Sequence, residues 1–306
     1  MYKVNIGSIN HFIIYDYIIF MDHFILLGDM GSGEKDQYKV AEAMYEKINE
    51  MNKKDIFVCG LGDNIYEDGC YSLEDEQFKT KFEIPYEKIS NNVKFYMVLG
   101  NHDYGYNLDL TNNSQVQVDY GILSQKKGMK WVMPSKYYTF KKKNVQFFMM
   151  DTNFYFMNES SIERQYQFLK EEINKSKKPW KILIGHHTLR SVGGNGNAKD
   201  EEPKMEKFFQ RLLSECELDF YICGHDHNKQ VIQTNIGGKN ISLIVCGTGG
   251  KEYHKETHYN NVKKGELDFV SSNLGYGLCE CSKKDMIVHF LDSENKQEFK
   301  YKLSKN

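Results

Sequence analysis

An α/β fold built on largely parallel strands is what this sequence predicts, and three observations carry that expectation. Apolar runs of strand length recur along the chain, helical patterns separate several of them, and polar residues gather just past the carboxyl ends of the runs. Near-continuous apolar character marks strands covered on both faces, and alternation of strand with helix favours parallel pairing through crossover connections.

The predicted strands are FILLGD (24–29), DIFVCGLGD (55–63), VKFYMVLGNH (93–102), NVQFFMMDT (144–152), WKILIGHH (180–187), LDFYICGHDH (218–227) and ISLIVCGTGG (241–250). Between them, Val40, Met44, Ile48 and Met51 recur at helical spacing, as do Phe168, Leu169 and Ile173 before Pro179, and Phe208, Leu212 and Leu213 mark a third helix. The basic triplet Lys141 to Lys143 reads as a solvated hairpin turn, and NAKDEEPK (197–204) as a charged loop beside the polar cluster. With no Pro-rich, Ser/Gly-rich or repeated linker, residues 21–306 read as one domain and 1–20 as an extension. Within that extension FIIYDYIIF (12–20) is too short and too interrupted by Asp16 to span a bilayer, and Met21 offers an alternative start directly before the first strand.

The 40 basic and 42 acidic residues leave a formal charge of −2, so nothing in the overall balance attracts nucleic acid or an anionic membrane. Any anionic substrate must be attracted locally. Seven cysteines, with Cys59, Cys223 and Cys246 inside apolar runs and no CxxC pair, read as reduced core thiols; Cys279 and Cys281 share one face of a strand. The N-terminus lacks the clean apolar stretch and cleavage site of a signal peptide, which favours an intracellular protein over a secreted one. Oligomeric state is not readable from the sequence.

Asp29, Asp63, Asn101, His186, His225 and His227 all lie just past a strand end, where open α/β sheets gather their ligand sites. Two carboxylates, an amide oxygen and three imidazoles form a mixed O/N donor set with too many groups for one tetrahedral ion, which points to two metals. A carboxylate can bridge ions roughly 3.5 to 4 Å apart and hold a water whose pKa is lowered toward neutrality. Glycine precedes almost every one of these residues, allowing sharp turns and close approach of the loops. In GHDH, His225 and His227 can reach different ions only if the backbone bends locally.

GDMG (28–31), GDNIY (62–66), GNHD (100–103), GHH (185–187) and GHDH (224–227), in that order, resemble the five metal motifs of purple acid phosphatases within the calcineurin-like metallophosphoesterases. MPSKYYTF (133–140) and MMDT (149–152) resemble a core segment of the small, tartrate-resistant single-domain members. The resemblance implies a β-sandwich flanked by helices. It implies that Asp29, Asp63, Tyr66 and His227 hold ferric iron, and that Asp63 as bridge, Asn101, His186 and His225 hold a divalent iron, zinc or manganese. Tyr66 is the discriminating residue, because relatives handling two divalent ions lack tyrosine there.

The implied reaction is hydrolysis of phosphate monoesters, small ones or those of phosphoproteins, by attack of metal-bound hydroxide, with Asp63 and His102 as the catalytic pair. His102 is the candidate proton donor. His102, Asn101, His187 and Asn195 are the candidate substrate contacts, while Asp103 and Asp226 read as supports for loops or ligand imidazoles. One departure stands out: relatives carry a histidine near Gly194 or Asn195 that is absent here, which predicts weaker turnover or a shifted pH optimum. Two rival readings remain, a divalent-only metallophosphodiesterase or nucleotidase, and a catalytically silent phosphate- or metal-binding protein. His11, His23, His254, His258 and His289 match no motif.

Overall fold

The computed structural model describes residues 21–53, 55–105, 112–251 and 257–305. The described strands are β1 (Asp22–Leu27), β2 (Phe57–Gly60), β3 (Phe95–Met97), β4 (Trp131–Val132), β5 (Tyr138–Lys141), β6 (Val145–Met149), β7 (Trp180–Ile184), β8 (Phe220–Cys223), β9 (Lys229–Ile236), β10 (Lys239–Cys246), β11 (Leu267–Ser271), β12 (Gly275–Cys281), β13 (Asp285–Asp292) and β14 (Gln297–Ser304). They form two seven-stranded sheets, ordered β14-β13-β12-β1-β2-β3-β4 and β11-β9-β10-β8-β7-β6-β5. Each sheet has a parallel half, β1-β2-β3-β4 in one and β10-β8-β7-β6 in the other, and an antiparallel remainder.

The inner faces of the two sheets make the main core. Phe147 of β6 meets Phe24 of β1 edge-on at 5.0 Å and Phe57 of β2 at 5.6 Å. On β6 and β7, Phe147, Met149, Ile182 and Ile184 enter this inter-sheet core, while the alternating Phe148 and Leu183 face a second core beneath the helices. Those helices are α3 (Glu159–Lys175) and α4 (Pro203–Glu215), which contribute Leu169, Ile173, Phe208, Phe209, Leu212 and Leu213. Helix α1 (Lys35–Met51) inserts Val40, Ala41, Ala43 and Met44 into the main core and ends on left-handed Asn52 (φ 48°). Two covered faces explain why these strands read as unbroken apolar runs.

All seven apolar runs contain a strand, and the three helical patterns fall in α1, α3 and α4. Helix α2 (Asn113–Lys126) has no sequence signal because its buried side includes Asn113, Ser114, Gln117 and Ser124, which interrupt any apolar stripe. Of the antiparallel strands, β12 was anticipated only through Cys279 and Cys281, and β9, β11, β13 and β14 were not; β13 alternates buried and half-buried residues, a weaker pattern than an apolar run. The segment 197–204 is not a loop: Ala198–Glu201 form a helical turn and Pro203 begins α4, where its ring is tolerated at the first helical position. Lys142 and Lys143 do lie in the turn between β5 and β6, with the Lys142 ammonium 4.4 Å from the centroid of the Phe57 ring.

All seven cysteines are buried free thiols. No helix among the described residues is long and apolar enough to cross a membrane. The extension 1–20, with its apolar run and His11, and also His254, lie outside the described residues.

Candidate metal centre

Five strands deliver the polar residues to one place. β1, β2, β7 and β8 run out at their carboxyl ends into the loops bearing Asp29, Asp63, His186 and His225, and β3 leads into the helical turn Asn101–Tyr104, which Asn101 opens, at the seam between the two sheets. Asp29 (φ 56°), Asp63 (φ 51°) and His225 (φ 70°) adopt the left-handed backbone conformation, uncommon for residues with a Cβ and concentrated where a site imposes it. At His225 this is the local bend of GHDH. Two glycines are required by close approach: a Cβ on Gly100 would lie 2.1 Å from Asp63 Oδ1, and one on Gly62 would lie 2.5 Å from His186 Nδ1.

The gathered residues fall into two halves. In one, the Tyr66 hydroxyl donates to Asp29 Oδ1 at 3.2 Å and lies 3.1 Å from His227 Nε2, which is itself 3.4 Å from Asp29 Oδ1. In the other, His186 Nε2 lies 3.0 Å from Asn101 Oδ1, 3.2 Å from His225 Nδ1 and 3.4 Å from Asp63 Oδ2. Donor atoms of Asp29, Asp63 and His227 also lie within 4.8 Å of one another, so Asp63 stands beside both halves. Asp29, Asp63 and Tyr66 are almost wholly buried. Among the described residues the ion-pair partners of the two carboxylates are histidines alone. Buried acceptors crowded this closely repel unless a cation lies among them, so the donor set fits metal binding.

Backbone groups orient the rings. Leu61 O accepts from His186 Nδ1 at 2.8 Å, which turns Nε2 toward Asn101 and Asp63. Glu67 O accepts from His102 Nδ1 at 2.7 Å, leaving Nε2, 3.9 Å from Asp63 Oδ2, as the atom that can exchange a proton. Thr152 Oγ1 already accepts from the backbone N–H groups of His186 and His187, so its own hydrogen is available to His187 Nδ1 at 2.8 Å. His187 then carries its proton on Nε2. Asn195, a candidate substrate contact, donates its side-chain amide to His225 O at 2.8 Å and so holds a loop.

The two aspartates outside these halves also serve loops. Asp103 accepts from the backbone N–H groups of Asn64, Ile65 and Gly100 and from the Asn64 and Gln117 side chains, tying GDNIY to GNHD. Asp226 accepts from the Ser191 hydroxyl and from Asn195 N.

Burial raises the Asp63 carboxyl, but the charges of His186, His102 and His225 and the His186 hydrogen bond outweigh it and hold the group well below the usual carboxylate range. For His186, burial is likewise outweighed, by Asp63, and the imidazole is pushed up to about 9. Burial and the charge of His186 push His187 down to about 3, so its ring is neutral. Burial, then the Asp29 and Asp63 charges, push the Tyr66 phenol well above its ordinary value.

A family model described as calcineurin-like phosphoesterase matches residues 23–229, a span holding all of these residues. Purple acid phosphatase 3 of Arabidopsis thaliana is 31% identical over 289 residues, covering 88% of this chain and 74% of that one. The chain is a calcineurin-like phosphoesterase of the purple acid phosphatase group. This phosphoesterase is also 27% identical to human tartrate-resistant acid phosphatase type 5, over 92% of its own length and 90% of the relative's. Among solved structures it resembles GAP50, described as the anchor in the inner membrane complex of Plasmodium, with a TM-score of 0.76 and 25% identity over 94% of this chain and 89% of that one. Family and relatives support metal-dependent phosphoester hydrolysis as the phosphoesterase's chemistry.

Several contributors lacked a role in the sequence reading of the phosphoesterase. Asn64 donates to Val98 O and Asp103, and Thr152 orients His187; each stands inside a quoted motif, and that was their only signal. Arg190 and Glu206 had none. Arg190 Nη1 and Nη2 meet the two Glu206 oxygens at 2.6 and 2.8 Å, clamping the loop before Asn195 to α4. Burial raises Glu206, but the Arg190 hydrogen bonds and charge prevail and lower it. A lowered carboxyl contributes stability that is present above its unfolded value and lost as pH falls through the folded one. Urea unfolding of wild type and Glu206→Gln should therefore differ above about pH 5 and converge as the carboxyl is protonated; a pH-independent difference would refute this linkage.

Proposed function

We propose that the chain is a phosphomonoester hydrolase using a ferric and a divalent cation. The observation that carries this reading is the Tyr66 hydroxyl at 3.2 Å from Asp29 Oδ1 and 3.1 Å from His227 Nε2. A buried phenol beside a carboxylate supplies a hard anionic donor once deprotonated, which suits a trivalent ion better than a divalent one. Asp29, Tyr66 and His227 would hold the ferric ion; Asn101, His186 and His225 would hold iron, zinc or manganese in its divalent state; Asp63 would bridge. When bound, the pair supplies an activated water and positive charge to match the phosphoryl oxygens.

The remaining steps belong to side chains. His187, neutral and held by Thr152, presents an N–H to a phosphoryl oxygen. His102, fixed through Glu67 O, uses Nε2 to hold or deliver the proton for the leaving oxygen. Small phosphate monoesters and phosphoprotein side chains fit the same centre.

The test is the visible spectrum of protein purified in air with iron and zinc supplied. Wild type should show a broad purple band, and Tyr66→Phe should lose it while retaining the fold. A colourless, metal-loaded wild type would instead indicate the divalent-only phosphodiesterase, to be screened with manganese and diesters. The likeness to an anchor protein favours one further reading, a silent scaffold. That reading requires metal-loaded protein that binds phosphate yet hydrolyses no ester.

A further inference from the structure

A cavity of about 410 Å³ opens directly from the proposed centre, with Asn101 and His187 in its wall. Its volume lies in the range of small-molecule sites. An ester whose phosphoryl group reaches the centre has this space available for its leaving group.

The turn Phe154–Phe156 lines the cavity with three consecutive aromatic residues. Phe154 is fully buried and packs against Phe208 of α4. Phe156 stacks on Tyr104 with ring centroids 4.8 Å apart and planes within 12°, and Tyr104 is anchored through its hydroxyl to Asp151 at 2.5 Å. Tyr155 meets Phe156 edge-on at 5.3 Å and is 74% exposed, the most exposed of the large apolar side chains among the described residues. Core packing therefore does not account for Tyr155, whereas a planar ligand ring would cover it.

Glu202 contributes the cavity's anionic group. It caps α4, accepting from Lys204 N at 3.3 Å, while the Lys204 ammonium lies 3.5 Å from Glu159. Glu202 is the one carboxylate in the cavity wall, and no lysine or arginine lines it among the described residues. A second anion on the leaving group would face a carboxylate, and an ammonium would be matched.

We propose that this cavity is a leaving-group site selecting aromatic phosphate monoesters whose ring bears a cationic substituent, with Tyr155 as the stacking face and Glu202 as the charge selector. The proposal rests on the phosphomonoesterase reading above but is tested separately from it. Two non-hydrolysable probes, 4-(2-aminoethyl)phenylphosphonate and 4-(carboxymethyl)phenylphosphonate, are titrated calorimetrically into the full, metal-loaded chain. The corresponding phosphate esters are assayed in parallel for kcat/KM.

Wild type should prefer the cationic member of each pair by about ten-fold, a preference worth about 1.4 kcal/mol. Glu202→Gln, which keeps an acceptor for the α4 cap, should remove most of that preference. Tyr155→Ala, a surface change, should weaken both aryl probes by about three-fold or more relative to methylphosphonate. A cation-to-anion Kd ratio that is the same in wild type and Glu202→Gln overturns the charge selector, and aryl affinity unchanged in Tyr155→Ala overturns the stacking face. If the Kd ratios behave as expected while no ester is hydrolysed, the site stands and the hydrolase reading falls.

Discussion

Asp63→Asn should lower kcat/KM for a simple aryl phosphate by about a thousand-fold or more, the scale of losing several kcal/mol of charge stabilisation at a metal-dependent site. Asparagine is the informative replacement because it is nearly isosteric and tolerates the left-handed backbone that position 63 adopts. Its carbonyl oxygen can still accept from His102 N, as Asp63 Oδ1 does at 3.0 Å. What it removes is the charge standing beside both halves of the donor set. Metal content per chain, measured alongside the rate, should fall in the same variant. Unchanged metal content with a rate within ten-fold of wild type would refute the bridging role proposed for Asp63.

Asp103→Ala should be the most destabilising single change near the site, by about 3–5 kcal/mol, because breaking a buried charged network strands its partners. Three backbone N–H groups and the Asn64 and Gln117 amides converge on this one carboxylate, which is fully buried. Burial and the charge of Asp63 push the Asp103 carboxyl up to about 6, opposed by those same hydrogen bonds. Thermal unfolding of metal-free protein isolates the structural contribution, and a midpoint within about two degrees of wild type would refute it. In metal-supplied protein the same variant should also bind metal more weakly, since Asp103 joins the loop of Asp63 to the helical turn that Asn101 opens.

The sequence was most informative where physical constraints act locally. Strands covered on both faces must be apolar throughout, so β1, β2, β3, β6, β7, β8 and β10 were visible as runs, and the residues at their ends came with them. Helix α2 was invisible because it buries amides and hydroxyls that the site loops need, as Gln117 does for Asp103. Of the antiparallel margins, β11, β13 and β14 were obscured by half-buried and exposed residues, and β9 by the buried polar Lys229, Gln230 and Thr234. Within the site, residue type and motif order drew attention to Asp29, Tyr66 and His227. Nothing in the local sequence indicated that Arg190 would find Glu206, or that Glu202 would reach a cavity shared with Asn101, because both depend on how α4 packs.

The place of β1 in its sheet has a consequence for how the protein is made. β1 carries the loop of Asp29, and it lies between β2, which follows soon after, and β12, where Phe24 pairs with Cys279. A ribosome must therefore synthesise the chain as far as β12 before this strand has both neighbours. Until then one edge of an apolar strand stays open to mispairing, with the loop of Asp29 attached to it. The site should consequently assemble only once β12 has emerged, and truncation before β12 should cost the protein its metal binding as well as its stability.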